Sequence, residues 1–180
     1  MTHSSSRLLQ VHGWTLLGHP LFLEQFRALT LEVESLASKD PSGYHNRNVT
    51  KRLAAICKLA FEVIPQDPTR PEYRQGATPG ESRKHWLRAK FFQQFRLFFR
   101  YHAPSRLIVY AWVNDEDTLR AYDSRNDAYR VFHRMLERGT PPDVWEQLVA
   151  ESLSISPSGP FINEPRNADR RAIMPSAFPA

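Results

Sequence analysis

Residues 82–114 carry seven Lys or Arg and no Asp or Glu, and the charges alternate with apolar side chains at the two-residue period of a β-strand. In 86–91 the even positions are Trp86, Arg88 and Lys90, and the odd ones are Leu87, Ala89 and Phe91. In 95–101 Phe95, Leu97, Phe99 and Tyr101 form an apolar set opposite Arg96, Phe98 and Arg100. Residues 107–113 are apolar on both faces, with Ile108, Tyr110 and Trp112 opposite Leu107, Val109, Ala111 and Val113, which predicts a central strand covered on both sides. Gln93-Gln94 and Ala103-Pro104-Ser105 fall between the runs, so two hairpins in an antiparallel meander are the economical connection. Arg88, Lys90, Arg96 and Arg100 then share one sheet face.

The chain carries a formal charge of +5 and this window +7, so the remainder sums to −2. A polyanion site on one face is implied, rather than a protein basic all over. With 180 residues, 41% of them hydrophobic, the chain is long enough for one domain and short for two. That domain is expected over 11–153, with 1–10 as a flexible N-terminus. Residues 154–180, rich in Pro, Ser, Asn and Ala, are expected to be disordered or loosely attached. The single Cys57 forms no internal disulfide and reads as a buried thiol in a reducing compartment. The N-terminus has neither a long apolar stretch nor a cleavage site, so cytoplasmic residence without a membrane span is the default expectation.

Around the sheet the periodicity becomes helical. A short strand is predicted near Trp14. From Pro20 onward, Phe22, Phe26, Leu29, Val33 and Leu36 form a core-facing stripe. A second amphipathic helix carries Val49, Leu53, Ile56, Cys57, Ala60 and Ile64 and ends before Pro65, with Lys51, Arg52 and Lys58 on its solvated side. A Pro- and Gly-rich loop without a motif fills 65–80. After the sheet, Asn114-Asp115-Glu116-Asp117 reads as a capped helix start, and its scattered directions suit capping better than a metal site. A helix follows from about Asp127 to Arg138, with Gly139 as its stop, and a last short one contains Trp145, Leu148 and Val149.

No Walker loop, dinucleotide fingerprint, zinc spacing or nucleophile elbow is present. His12, His19, His45 and His102 read as surface or turn residues, whereas His85 begins the basic strand window and His133 lies on the helix after the sheet. Guanidinium and ammonium groups bind phosphate oxygens, and exposed rings stack unpaired bases, so single-stranded RNA fits the face best. Lys84, Trp86, Trp112 and Arg120 are the candidate RNA contacts. The competing reading puts Trp112 and Phe98 in the core beneath the C-terminal helices, with the arginines solvated at the rim.

The segments KHWLRAKFFQQFRLFFRY, WVNDEDTLRAYD and DAYRVFHRMLERGTPP, and the opening HGWTLLGHPLF, resemble the YhaV family of bacterial toxins, a branch of the RelE/ParE superfamily. The similarity spans roughly 11–153. It implies an α+β, RelE-like compact domain, with two N-terminal helices packed on a mainly antiparallel sheet and with C-terminal helices. It further implies a toxin of a type II toxin-antitoxin system that cleaves mRNA, on or off the ribosome, and arrests growth. A PrlF-type antitoxin would be its partner and would carry the complex to operator DNA. A non-catalytic nucleic-acid-binding module and a ParE-like gyrase inhibitor are the alternatives.

The superfamily pattern places a basic-x-basic pair on one strand and an arginine on the next, which here fall on Arg88, Lys90 and Arg96, with Arg100 farther along. After the last strand the acidic stretch from Asp115 stands where a basic residue often comes, and Arg120, Tyr122 and Tyr129 are the nearest substitutes. These parts suggest a reaction without metal or cofactor, in which the ribose 2′-hydroxyl attacks the adjacent phosphate while Arg88, Arg96 and Arg100 stabilise the phosphorane. Lys90 is the first candidate base, because neighbouring cations favour its neutral form, and His85 is the second. Tyr129 or Tyr122 would protonate the leaving oxygen.

Overall fold

The computed structural model describes residues 8–76, 81–121 and 124–155. At its centre is the strand Leu107–Val113 (β5), apolar on both faces as its sequence requires. It pairs antiparallel with Phe95–His102 (β4), which pairs antiparallel with the edge strand Leu87–Phe91 (β3). On its other side β5 runs parallel to Trp14–Gly18 (β2). The free edge of β2 is shared by Gln10–Val11 (β1) and Leu153–Ser154 (β6), both antiparallel to it. The fold is therefore α+β with a mixed six-stranded sheet, antiparallel except at the β2–β5 pair.

Two layers of helix cover the sheet. One face is packed by Pro20–Lys39 (α1), whose Phe22, Phe26, Leu29 and Val33 meet Leu16, Leu97, Phe99, Ile108 and Tyr110. His19 starts this helix: its Nδ1 accepts the Leu21 amide, and its Nε2 lies 3.0 Å from Glu151. His19 is thus a buried cap rather than a surface residue.

Asn48–Lys58 (α2) follows on the same side, and the helical run that it begins does not stop before Pro65. A π turn over Leu59–Val63 leads directly into Ile64–Gln66 (α3), so proline's missing N–H falls in the first turn of a new segment and costs no ladder bond. The buried Tyr110 hydroxyl donates to the Ala60 carbonyl at 2.5 Å, tying this turn to the sheet. Burial raises the Tyr110 pKa well above the ordinary phenol value. Burial, reinforced by Glu62, pushes the Cys57 thiol up to about 12, so it is an inert packing residue.

The opposite face, which carries the basic residues, is roofed by Ala128–Glu137 (α4) and Trp145–Glu151 (α5). Asp127 caps α4, and its Oδ2 accepts the Tyr129 amide at 3.2 Å. Phe132 stacks on Phe98 at 4.2 Å and lies nearly parallel to Trp112 at 5.8 Å between ring centres.

The side to which Trp112 points departs from strict strand parity. Phe98 pairs with Trp112 but Phe99 with Tyr110, so Ala111 is an extra residue in β5. This bulge swings Trp112 to the α4 side and Val113 to the α1 side. At the ends of the chain the fold takes in more than 11–153: Leu9 packs against the core and Gln10 belongs to β1. Ser154 pairs in β6 and Ile155 is buried. Expectations for residues 1–7 and 156–180 lie outside the described residues. Among the described residues no helix is long and apolar enough to cross a membrane.

Candidate active site

The period-two reading places Arg88, Arg96 and Arg100 on the face beneath α4 and α5, yet neither rim solvation nor an open basic platform describes them. Arg88 and Arg96 are only 7% and 6% exposed. Cross-strand pairing brings Arg88 opposite Phe98, and Lys90 opposite Arg96. The roof then supplies one side chain that both arginines reach. Arg88 Nε donates to the Tyr129 hydroxyl at 2.7 Å, and Arg96 Nε donates to the same oxygen at 3.2 Å.

Their remaining guanidinium hydrogen bonds go to carbonyls. Arg88 Nη1 donates to Glu72 O at 2.6 Å, while Arg96 Nη1 donates to Gln93 O at 2.6 Å and Phe95 O at 2.8 Å. The loop over 65–80, in which no motif was legible, therefore contributes through the short 3-10 turn Pro71–Tyr73 and the bridge from Arg74 to Leu87. Among the described residues no carboxylate pairs with Arg88 or Arg96. Two nearly buried cations on neutral acceptors make a site that an anion stabilises, because burying a charge without a counter-charge is costly.

Around this centre stand Arg120 and Lys90. The Arg120 guanidinium lies 4.9 Å from the centre of the Tyr129 ring and pairs with Asp127 at 2.5 Å. Lys90 is exposed and has no hydrogen-bond or ion-pair partner among the described residues. Asn114, which the sequence suggested as a helix cap, is buried. Its Oδ1 accepts the Arg96 amide at 2.5 Å, and its Nδ2 donates to Gln94 O and Thr118 O. The capping role falls to Asp115, and the segment that follows is a single 3-10 turn, Glu116–Thr118, rather than a helix. The Asp115 carboxylate is used in that turn and Glu116 reaches Arg52 on α2, and the described residues contain no cluster of His, Cys, Asp and Glu able to hold a metal.

Farther from the β3–β4 hairpin the face changes character. Arg100 is sandwiched between Trp86 and Trp145, with its guanidinium carbon 5.4 and 5.2 Å from their ring centres, and it donates to the Asp143 carbonyl at 2.7 Å. Burial lowers the Arg100 pKa from its ordinary value against the opposing pull of Asp143 and Glu146.

The Asp143 carboxylate lies 2.8 Å from His85 Nε2 and accepts the Trp86 indole N–H at 2.7 Å. Burial alone would raise the Asp143 pKa, but these two hydrogen bonds and the nearby His85 and Arg83 charges take it below the usual value. Arg83 also meets His133 on α4, at 2.8 Å.

His85 thus precedes Arg88 by three residues, roughly 10 Å along an extended strand. The structure gathers Arg88, Lys90, Arg96, Arg120 and Tyr129 at the hairpin end, and His85, Trp86 and Arg100 at the other. Trp86 and Trp112, expected as stacking planes, are core residues under the C-terminal helices and present no face to a base. Lys84 is exposed just ahead of β3, and Tyr122 lies outside the described residues.

Sequence reasoning missed Asn114, Asp127 and Asp143 as organisers of the site. A cap signal ahead of the α4 stripe could have found Asp127.

A family model described as a toxin with endonuclease activity, of a toxin-antitoxin system, matches residues 16–153. The chain belongs to the YhaV toxin family. Over 145 residues it is 45% identical to the ribonuclease toxin YhaV of Escherichia coli strain K12, an alignment covering 79% of this chain and 94% of that protein. The toxin YhaV of Escherichia coli O6:H1 matches to the same extent. No solved structure matches the chain. Membership makes the protein an endonuclease toxin with an antitoxin partner, which favours a cutting site over a binding-only module or a gyrase inhibitor. All the described residues of the candidate site fall within the matched span.

Proposed function

We propose that the protein cleaves single-stranded RNA, with mRNA as its target, by internal attack without a metal, at the hairpin end of the basic face. The meeting of Arg88 and Arg96 on the Tyr129 hydroxyl carries this reading, since it holds two nearly buried positive charges together on neutral acceptors. RNA brings its own nucleophile. The 2′-oxygen bonds to phosphorus, the bond from phosphorus to the 5′-oxygen breaks, and the products are a 2′,3′-cyclic phosphate and a 5′-hydroxyl.

Arg88 and Arg96 would stabilise the extra negative charge of the phosphorane, where preorganised donors act without reorganising. Tyr129 would protonate the departing 5′-oxygen: with its own oxygen accepting from two guanidinium groups, its O–H hydrogen is left to point away from them. Lys90 would take the 2′-hydroxyl proton, and its lack of an internal partner leaves its nitrogen available to substrate. His85 is the weaker candidate, because Asp143 holds it at the far end. Arg100, fixed between two indoles, would position the strand ends rather than touch the reacting phosphate.

The wider setting rests on the resemblance. It comprises a RelE-like fold, a PrlF-type antitoxin, recognition of operator DNA through that complex, and action in the cytoplasm with or without the ribosome. The deciding experiment is cleavage of a defined RNA by purified Arg88→Ala and Arg96→Ala, with the product ends identified. Loss of cleavage with retained folding supports the assignment, and near wild-type rates in both would sink it. Cleavage that persists in EDTA supports the metal-free route, whereas its loss would overturn that route.

A further inference from the structure

A cavity of about 470 Å³ opens beside the β3–β4 hairpin on the α2 side of the sheet, outside the arginine site. It falls in the size range of small-molecule sites, roughly 300–1,000 Å³. Asn48, Lys51 and Arg52 from α2 line one wall, and Phe92, Gln94 and Phe95 from the hairpin line another.

Three observations make this more than a gap between elements. Phe92 is 54% exposed and has φ +43°, a left-handed backbone that a bulky residue adopts only at a cost, and Gln93 beside it has φ +60°. A glycine or asparagine would suit that turn better, so the ring stands there against backbone preference. Lys51 is exposed, with no partner among the described residues. Arg52 stands over the Phe95 ring at 5.5 Å and reaches Glu116 at 3.6 Å, but its buried Nε has no hydrogen-bond acceptor.

The cavity is also wired to the arginine site through Gln94. The Gln94 carbonyl accepts from Arg120 N and from Asn114 Nδ2, and that same Asn114 fixes the Arg96 backbone.

Resting on the RNA-cleaving reading above, we infer that this cavity is a base-selecting subsite for a nucleotide flanking the cut. Phe92 supplies the stacking plane that the buried tryptophans cannot. The amides of Asn48 and Gln94 supply donors and acceptors for a base edge, and Lys51 supplies a cation for the attached phosphate. An RNA strand gripped at Arg88 and Arg96 would turn over the hairpin tip into it.

The test uses the full-length protein and single-stranded RNA with randomised positions, with the ends of the products sequenced. Phe92→Gly is expected to raise KM roughly 5- to 150-fold, the range of a lost base stack, and to flatten the base preference at one position, and Lys51→Ala to raise KM without changing that preference, both with kcat nearly unchanged. Phe92→Gly should keep or raise Tm, because glycine relieves the turn, so a loss of selectivity is not a loss of fold. Wild-type KM and base preference in both variants, with Arg96→Ala inactive, would overturn the subsite and leave the nuclease reading intact. An active Arg96→Ala would remove the reading on which the subsite rests, and the subsite with it. Wild-type cleavage combined with escape from the cognate antitoxin would assign the cavity to a protein partner and overturn the inference.

Discussion

At the hairpin end of the basic face, Arg88 and Arg96 are buried on a phenol oxygen and backbone carbonyls, whereas at the far end Arg100 lies between two indoles beside the Asp143 carboxylate. Both ends take guanidinium groups out of water. Arg100 has a counter-charge beside it, as Asp143 holds His85 and Trp86 while its main chain holds Arg100, whereas the carboxylate nearest the other end, Asp127, is taken by Arg120 and pairs with neither Arg88 nor Arg96. A cation already balanced within the fold gains little from a phosphate. A pair held on neutral oxygens gains a great deal. Seven basic residues in one window are therefore not seven equivalent phosphate contacts, and the difference lies in what each one touches rather than in its charge.

The largest effect that separates the two ends is catalytic. Arg88→Ala or Arg96→Ala should lower kcat on the order of 10²-fold or more. Arg100→Ala should lower Tm and leave cleavage by the remaining folded protein within about tenfold, well under the roughly 10²-fold of the smallest general acid-base effects. Equal losses of kcat in all three would erase the distinction. Tyr129→Phe comes next: loss of the shared oxygen should reduce single-turnover cleavage by about 10²-fold, and a change confined to KM would remove Tyr129 from proton transfer.

A smaller effect tests the unbalanced charge directly. A 2′-O-methyl oligonucleotide, which lacks the nucleophile, should stabilise the wild type by about 2.7 kcal/mol at 100 times its Kd, with a salt slope of roughly −0.7 per phosphate contact. Arg96→Ala should lose most of that stabilisation and Arg100→Ala should keep it.

The smallest effect belongs to the far end. The folded-state Asp143 pKa lies below its usual 3.8, so the stability it contributes is present above the unfolded value and is lost as pH falls through the folded one. Asp143→Asn should flatten this acid limb in a melting series below about pH 4, with cleavage at neutral pH changed little.

How much of this was legible in the sequence follows from periods. The meander, the central β5 and the stripe of α1 were readable because alternation and helical spacing are local properties of the chain. The shared face of Arg88, Lys90, Arg96 and Arg100 was readable for the same reason. The roof was not: the α4 stripe says that Phe132 and Leu136 are buried, but not against which side of the sheet. Trp86 and Trp112 therefore looked available to RNA when they are the floor beneath that roof. The bulge at Ala111 carries no glycine or proline to announce it, and a single inserted residue reverses every assignment beyond it. Tyr129 entered through family resemblance, because nothing local in the sequence says that its hydroxyl will meet two arginines forty-one and thirty-three residues earlier.

Apart from its short hairpin with β1, the strand β2 finds its partners late. Its β5 partner begins 92 residues downstream, from Thr15 to Leu107, and β6 lies 137 residues downstream, from Leu17 to Ser154. Such distant pairings close slowly and only once both segments exist. A growing chain thus holds its N-terminal strand paired with β1 alone through most of its own synthesis. A translation product cut short before Leu153 lacks the segment that seals that edge, and one cut short before Ala128 also lacks the roof that delivers Tyr129. The toxin's architecture delays its own completion, leaving an interval in which an antitoxin already present can meet it.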